Sequence, residues 1–392
     1  MSFPEVEVFT KVVARVLHID DVTSEDPGKG FFLRYRGHLL MEDSAEAYDQ
    51  LADSLSQYNA TPLFRVEDGR HVIYLMAMQP AAGKEKISTN IILFLLTVFS
   101  VMLAGIQPEG PPPQETADLF LYLFKNIFTG WPFALSLLGI LLAHELGHYF
   151  MSRYHKTPAS LPYFIPFPFS PLGTMGAAIL MRGIPKNKRV LFDIGIAGPI
   201  AGLVVAIPVL FLGLSLSELN ILQPTANSFM EGNSLLYLFA KYVTFGQLLP
   251  APLEPQGIVY WLKYFFTGRP IPFGGMDVLI HPVAFAGWAG ILVTALNLIP
   301  AGTLDGGHVI YAMFGEKARK AFPFIIGLLV LLGISWSGWW LWAALLFWLG
   351  RVHAQPLDQI TTLDPTRRLI AYTMVVVFFL VFMPVPFMAM VQ

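Results

Sequence analysis

The pattern of polar and apolar positions changes once along this chain. Up to residue 80 the two kinds alternate or recur at helical spacing; from Ile87 onward, apolar runs long enough to cross a bilayer follow one another. In "FFLRYRGHLL" (31–40), Leu33 and Tyr35 alternate with Arg34 and Arg36, the pattern of a half-buried strand. Tyr48, Leu51, Ala52, Leu55 and Tyr58 recur at helical spacing behind Asp43 and Glu46, which resemble a capping box. "LFRVEDGRHVIYLMAM" (63–78) predicts two strands around the Asp68-Gly69 turn. Residues 1–80 therefore predict a small soluble α+β domain, in the order strand, strand, helix, strand, strand, whose role is docking or packing rather than chemistry.

The apolar runs place candidate spans at 87–106, 131–151, 190–215, 281–300, 321–337, 338–350 and 369–389, the short 338–350 being the least regular. Composition agrees. Only 13 % of residues are charged and 55 % are hydrophobic, whereas a soluble protein carries about 25 % charged residues. The fold expected is a polytopic α-helical membrane protein of about seven segments, between six and eight, spanning residues 87–392. The net charge of −2 and the lack of a basic stripe exclude nucleic acid as an expected partner. With no cysteine, neither disulfides nor thiolate-bound zinc can form. The N-terminus has acidic residues and no apolar h-region, so no signal peptide is expected.

Lys and Arg counts set the expected orientation. Lys84 and Lys86 precede the first span and put the N-terminal domain in the cytoplasm. The 107–130 connection, with Glu109, Glu115 and Asp118 against Lys125, falls outside; Arg153, Lys156, Arg182, Lys186, Lys188 and Arg189 mark an inside loop. Lys317, Arg319, Lys320, Arg367 and Arg368 also count as inside. Residues 161–182 are apolar, but Pro162, Pro166, Pro168 and Pro171 rule out a regular helix. A re-entrant hairpin turning near Leu172-Gly173 satisfies the rule that irregular backbone at membrane depth lines a cavity or lies within protein. Residues 216–280, rich in Pro, Gly and aromatics, predict no definite element.

The chemistry begins at "LLAHELGHYFMSRYH" (141–155). Four residues apart on a helix, His144 and His148 share a face at a separation of about 6 Å and can ligate one ion. Glu145 projects about 100° round the helix, within reach of a metal-bound water. A zinc ion lowers the pKa of that water to about 7, and such a glutamate can move its proton to a leaving amine. The competing reading is a pair of buried histidines satisfied by hydrogen bonds. A catalytic zinc needs a third protein ligand, and the local sequence lacks one: Met151 and Tyr154 break the metzincin extension, and His155 lies about 10 Å along the axis from His148. The best distant candidate is Asp305 in "NLIPAGTLDGGH" (297–308). It is an acid following an apolar run, beside Gly306-Gly307, which allow close backbone approach, and it is delivered to the side of His144 and His148 by the span count. A turn aspartate is the alternative. His308 reads as a cap or supporting hydrogen-bond residue. Asn297 reads equally as an interhelical hydrogen bond or as a donor to a tetrahedral oxyanion.

With both segments in place, the chain resembles the site-2 protease family of intramembrane zinc metalloproteases. The residues that carry the resemblance are His144-Glu145-Leu146-Gly147-His148, Asn297-Leu298-Ile299-Pro300 and Leu304-Asp305-Gly306. Residues 281–308 look like the plastid and bacterial subgroup known for the ethylene-dependent gravitropism-deficient and yellow-green proteins. The resemblance covers about 140–310, inside an expected catalytic core at about 131–310. It implies one Zn2+ on His144, His148 and Asp305, with Glu145 as general base. It also implies that Gly173-Thr174-Met175-Gly176 occupies the family's substrate-binding hairpin, where an exposed strand edge would take up an unwound substrate; a hairpin that only plugs the fold is the alternative. The small residues Gly195, Gly198 and Gly202 suit close helix packing. The expected substrates are single-span membrane proteins, cut in or beside the bilayer of a bacterial-type plasma membrane with the site toward the cytoplasm. A catalytically silent relative that binds membrane partners is the rival; a metal transporter would need more intramembrane acids or histidines than the chain carries.

Overall fold

The computed structural model describes residues 6–26, 30–78, 86–107, 116–224, 229–350 and 355–390. The expectations attached to Lys84, Glu109 and Glu115 lie outside these residues. In the N-terminal region, α1 (Val6–Val13) precedes β1 (Leu17–Asp26), β2 (Phe31–Leu39), α2 (Ser44–Ser56), β3 (Ala60–Glu67) and β4 (Arg70–Ala77). The expected strand, strand, helix, strand, strand order is present, as one antiparallel sheet in the order β1-β2-β4-β3. Asp43 caps α2 by accepting from the Ala45 amide at 3.0 Å. Asp68 (φ 50°) and Gly69 (φ 77°) make the tight β3–β4 turn, both in the left-handed region that such a turn requires. Leu33, Tyr35, Leu51, Leu55, Phe64 and Leu75 form the core between helix and sheet. His71 Nδ1 accepts from the Leu39 amide at 3.1 Å, and burial pushes its imidazole below the usual histidine range.

Beyond α3 (Ile87–Ala104) and α4 (Thr116–Asn126), a 3₁₀ turn leads into α5 (Trp131–Tyr154). The hairpin β5 (Tyr163–Pro166) and β6 (Thr174–Ala178) follows, then α6 (Lys188–Ser215). Among the described residues, three helices, Ile87–Ala104, Leu121–Tyr154 and Lys188–Ser215, are long and apolar enough to cross a membrane. The segment 216–280 folds as β7 (Glu218–Ile221), β8 (Phe229–Glu231), α7 (Leu235–Phe245), α8 (Ile258–Thr267) and β9 (Met276–Leu279). It continues into α9 (Pro282–Asn297), α10 (Asp305–Phe314), α11 (Phe322–Leu332), α12 (Gly338–Leu349), α13 (Pro365–Val381) and β10 (Phe387–Ala389).

The late candidate spans differ in length from the sequence reading. The 321–337 and 338–350 segments form helices of 11 and 12 residues, about 17 Å each at 1.5 Å per residue. The 369–389 helix starts earlier, at Pro365, and ends at Val381, because Pro384 and Pro386 cannot continue it. The core lies where α5, α6 and α9 pack together around Leu137, Leu141, Ala206, Leu210, Trp288 and Ile291. Small residues bring α6 and α9 close: a β-carbon at Gly287 would stand 2.6 Å from the Leu210 backbone.

The bundle has two ends. At the distal one, α3 and α6 finish and α5 and α9 begin. At the proximal one, α5 finishes, α6 begins and the N-terminal sheet docks. A strap of residues 356–361 makes that docking. The Phe64 amide donates to Leu357 O (2.9 Å) and the Gln359 amide to Phe64 O (3.1 Å), extending the β3 edge. On its other side, the Leu357 and Asp358 amides donate to Pro185 O and Lys186 O. Asp358 is fully buried; it accepts from Ser44 (2.8 Å) and the Ile360 amide (2.7 Å), and also from Thr361. Arg189 pairs with Asp43 at 2.8 Å, and Lys186 with Asp49.

Candidate metal centre and active site

The middle of α5 turns His144, Glu145 and His148 toward α6 and α9, all three buried. Their fourth companion comes from the α9–α10 connection. There the chain leaves α9 at Asn297, turns through Leu298–Leu304 and starts α10 at Asp305. Gly306 permits the turn: a β-carbon there would lie 2.0 Å from Leu298 O. The result brings Asp305 Oδ2 to 3.3 Å from His144 Nε2, and Oδ1 to 3.3 Å from His148 Nε2. The two Nε2 atoms stand 3.2 Å apart.

These distances fit a metal. Donors about 2.0–2.1 Å from a tetrahedral Zn2+ stand about 3.3 Å from one another. His148 Nδ1 lies 2.7 Å from Ile194 O, so it carries the proton and leaves Nε2 as a lone pair. Two neutral imidazole nitrogens and a carboxylate aimed at one point repel each other, and a cation between them removes that cost. Among the described residues, this is the one group of three histidine or acidic side chains placed to hold an ion.

Helix α6 makes the room. A β-carbon at Gly198 would sit 2.1 Å from His148 Nε2, and one at Gly202 3.2 Å from His144 Nδ1. Sequence reasoning gave these glycines to helix packing; what they pack against is the pair of imidazoles. Gly195 similarly faces His308, 2.9 Å from its Cβ. The spacing of the small residues over 195–202 was the available signal, but the partner helix could not be read from it.

A chamber of about 630 Å3 opens beside the three ligands. Glu145, Asn297, His308 and residues 177–181 line it. Glu145 accepts a hydrogen bond from the Ile179 backbone, which ties the acid to the strand end. Asn297 Nδ2 lies 3.4 Å from His144 Nε2, at the same end of α9. The hairpin is held to α3 at both ends: Asn90 Nδ2 donates to Leu161 O and Pro162 O, each at 3.1 Å, and Ser100 donates to Gly173 O at 2.6 Å. Gly173 (φ 70°) turns at the tip, Thr174 is buried and Met175 is exposed, with Gly176 (φ 101°) beyond. The stretch that reaches the chamber is 177–181, while 173–176 form the turn end of the hairpin. His155 stands apart from the ligands, paired with Asp193 at 2.9 Å. Asp193 also receives Arg367 at 2.6 Å and so locks α6 to α13.

Residues 132–334, just over half of the chain, match peptidase family M50. The chain belongs to that family. Its relatives include a chloroplastic protein of Arabidopsis thaliana named as a probable zinc metalloprotease, EGY1, 31 % identical over 75 % of this chain and 52 % of its own length. Its Oryza sativa subsp. japonica namesake is 33 % identical over 62 % of this chain and 41 % of its own length. An EGY2 protein of Oryza sativa subsp. indica is 27 % identical over 93 % of this chain and 64 % of its own. The chain thus spans about half the length of the curated relatives it matches first. No solved structure matches it. The M50 assignment bears out the site-2 protease resemblance carried by the two motifs, and the zinc in the relatives' names agrees with the donor set formed by His144, His148 and Asp305.

Proposed function

We propose that this M50 protein is an intramembrane zinc metalloprotease that hydrolyses peptide bonds of single-span membrane proteins within or beside the bilayer. The observation that carries the reading is the convergence of His144, His148 and Asp305 at 3.2–3.3 Å with Glu145 in the same chamber. A pure binding module has no need of an acid beside a metal site.

Zn2+ bound by the three residues would supply Lewis acidity toward a water and toward the scissile carbonyl. Glu145 takes the proton of the attacking water at its carboxylate and returns it to the leaving amine nitrogen. The Asn297 amide donates to the oxygen that becomes negative as the carbonyl carbon turns tetrahedral. Strand β6 is paired on one edge only. Its other edge takes an unwound substrate segment as an added strand, 173–176 engaging it at the tip and 177–181 leading it to the chamber. Strand addition matters because a peptide bond inside a helix is shielded by its own hydrogen bonds.

In this reading the hairpin is re-entrant, and α9, α11–α12 and α13 complete a bundle of about seven membrane segments with the three long helices. The N-terminal domain and the proximal end face the cytoplasm, as Lys186, Lys188 and Arg189 beside the docking strap favour. A bacterial-type plasma membrane follows from the bacterial side of the resemblance, although the relatives reported above carry chloroplastic names. The experiment is cleavage of a co-expressed single-span substrate by wild type and by Glu145→Gln, with zinc content measured in both. Loss of cleavage with zinc retained supports the protease; cleavage that survives in Glu145→Gln would refute the role of Glu145.

A further inference from the structure

A second cavity, of about 980 Å3, lies at the distal end, away from the metal ligands. Two buried carboxylates open into it: Glu231 at the end of β8 and Asp277 on β9. Around them the protein places one cation. Lys241 of α7 is 1 % exposed, its Nζ 3.7 Å from Asp277 Oδ1 and 4.5 Å above the Tyr237 ring. The Tyr237 hydroxyl donates to Glu231 at 2.8 Å, and the Val278 amide donates to Asp277 at 2.8 Å. Two carboxylates against one ammonium leave a buried excess of negative charge, which is costly unless a cation or a proton balances it. Burial and the Asp277 carboxylate hold the Glu231 carboxyl up to about 7.

Two further buried polar groups near the carboxylates lack a hydrogen-bond partner among the described residues. Tyr264, 4 % exposed, lies within electrostatic reach of both carboxylates, yet its hydroxyl finds no hydrogen-bond partner among the described residues. The same holds for Asn233 Oδ1, two residues from Glu231 and 7 % exposed. Phe285 and Trp336 add aromatic walls, surfaces that attract ammonium and guanidinium groups. The cavity also borders the turn of the hairpin. The end of α3, the start of α5 and Pro171 of the β5–β6 turn border it, and α3 holds the hairpin through Asn90 and Ser100.

We propose that this cavity binds a protonated amine or guanidinium on the distal flank of a membrane polypeptide, so that a basic residue there fixes the depth at which the polypeptide lies along β6. The assignment to a polypeptide rests on the protease reading above; the cation chemistry does not. A zwitterionic amine lipid offers the same ammonium, but its phosphate would approach the carboxylates.

The test reads binding rather than cleavage, so a failure of the protease reading leaves it intact. Full-length Glu145→Gln protein in phosphatidylcholine nanodiscs is titrated with labelled single-span peptides that differ at one distal-flank position, Lys against Gln. The Lys peptide is expected to bind about 10-fold tighter, and the ratio to fall to about one when Glu231→Gln or Asp277→Asn is added. Zinc content identifies any variant that fails to fold. Equal binding of the two peptides by the otherwise unaltered protein overturns the proposal without recourse to those variants, as does a ratio that persists in both. Nanodiscs containing phosphatidylethanolamine are expected to leave the ratio in place. Its loss there would assign the cavity to a lipid headgroup and overturn the polypeptide assignment.

Discussion

Gly198 on α6 stands directly against the imidazole of His148: a β-carbon in its place would lie 2.1 Å from Nε2. That contact is with the nitrogen that faces the metal position, and the ring cannot retreat while Nδ1 is held by Ile194 O at 2.7 Å. Gly198→Ala is therefore expected to lower zinc affinity by about 100-fold or more, at the upper end of what changes around metal ligands cost. Gly202→Ala meets His144 Nδ1 at the milder 3.2 Å and is expected to cost less. Zinc stoichiometry after dialysis against a graded chelator ranks the two; equal losses would show that the crowding acts elsewhere.

Asp305 closes the ligand set from another part of the chain. Asp305→Asn keeps the shape and removes the charge, and is expected to abolish both tight zinc binding and cleavage. Chelation of wild type is expected to give the same loss, reversed by added Zn2+. Cleavage that resists chelation would exclude a metal mechanism.

Asn297 separates two roles by two readouts. As an oxyanion donor, its replacement by Ala is expected to lower kcat by about 100-fold with zinc content unchanged. Were its work to hold His144, at 3.4 Å, zinc would fall together with kcat. Single-turnover cleavage with parallel metal analysis decides the matter.

His71 gives the N-terminal sheet a pH dependence. Its folded pKa lies below the ordinary value, by burial and the nearby His38, because Nδ1 must stay unprotonated to accept from Leu39. The unfolded chain then binds more protons than the folded one just below the unfolded value of about 6.5. Stability from this group is complete above that pH and drains away as pH falls toward the folded value. Hydrogen exchange at the Leu39 amide, corrected for intrinsic rate, is expected to speed up on going from pH 7.5 to pH 5.5; in His71→Gln this pH component should vanish.

Asp358 is the hub of the docking strap. Its removal takes the carboxylate acceptor from the Ile360 and Thr361 amides beside a fully buried position. Asp358→Ala is expected to weaken docking of the N-terminal region by about 2–4 kcal/mol. Limited proteolysis near the strap, faster in the variant, would report it; an unchanged pattern would place the docking strength in the Arg189–Asp43 and Lys186–Asp49 pairs.

Legibility in the sequence followed the range of the physics. Strand alternation, the Asp68-Gly69 turn and the His144/His148 spacing are local, and each could be read before any fold was known. Asp305 was reachable because an acid after an apolar run is costly enough to need a reason. The tasks of Gly198 and Gly202 depend on which helix lies opposite, and nothing within α6 specifies that partner. The 216–280 layer escaped for a related reason: its strands pair with distant ones, β8 with β10 and β7 with β9, in runs of three or four residues too short to show a period. The strap at 356–361 carried no periodic signal because its backbone bonds are made to two other elements.

That strap also dictates an order of assembly. Arg65 Nη1 reaches Leu357 O at 2.9 Å across 292 residues of chain. The backbone that pairs with the β3 edge at Phe64 therefore lies almost 300 residues later in the order of synthesis. Docking through that edge must wait while the helices between are laid down. The seal between them cannot form before residues 356–361 have been made.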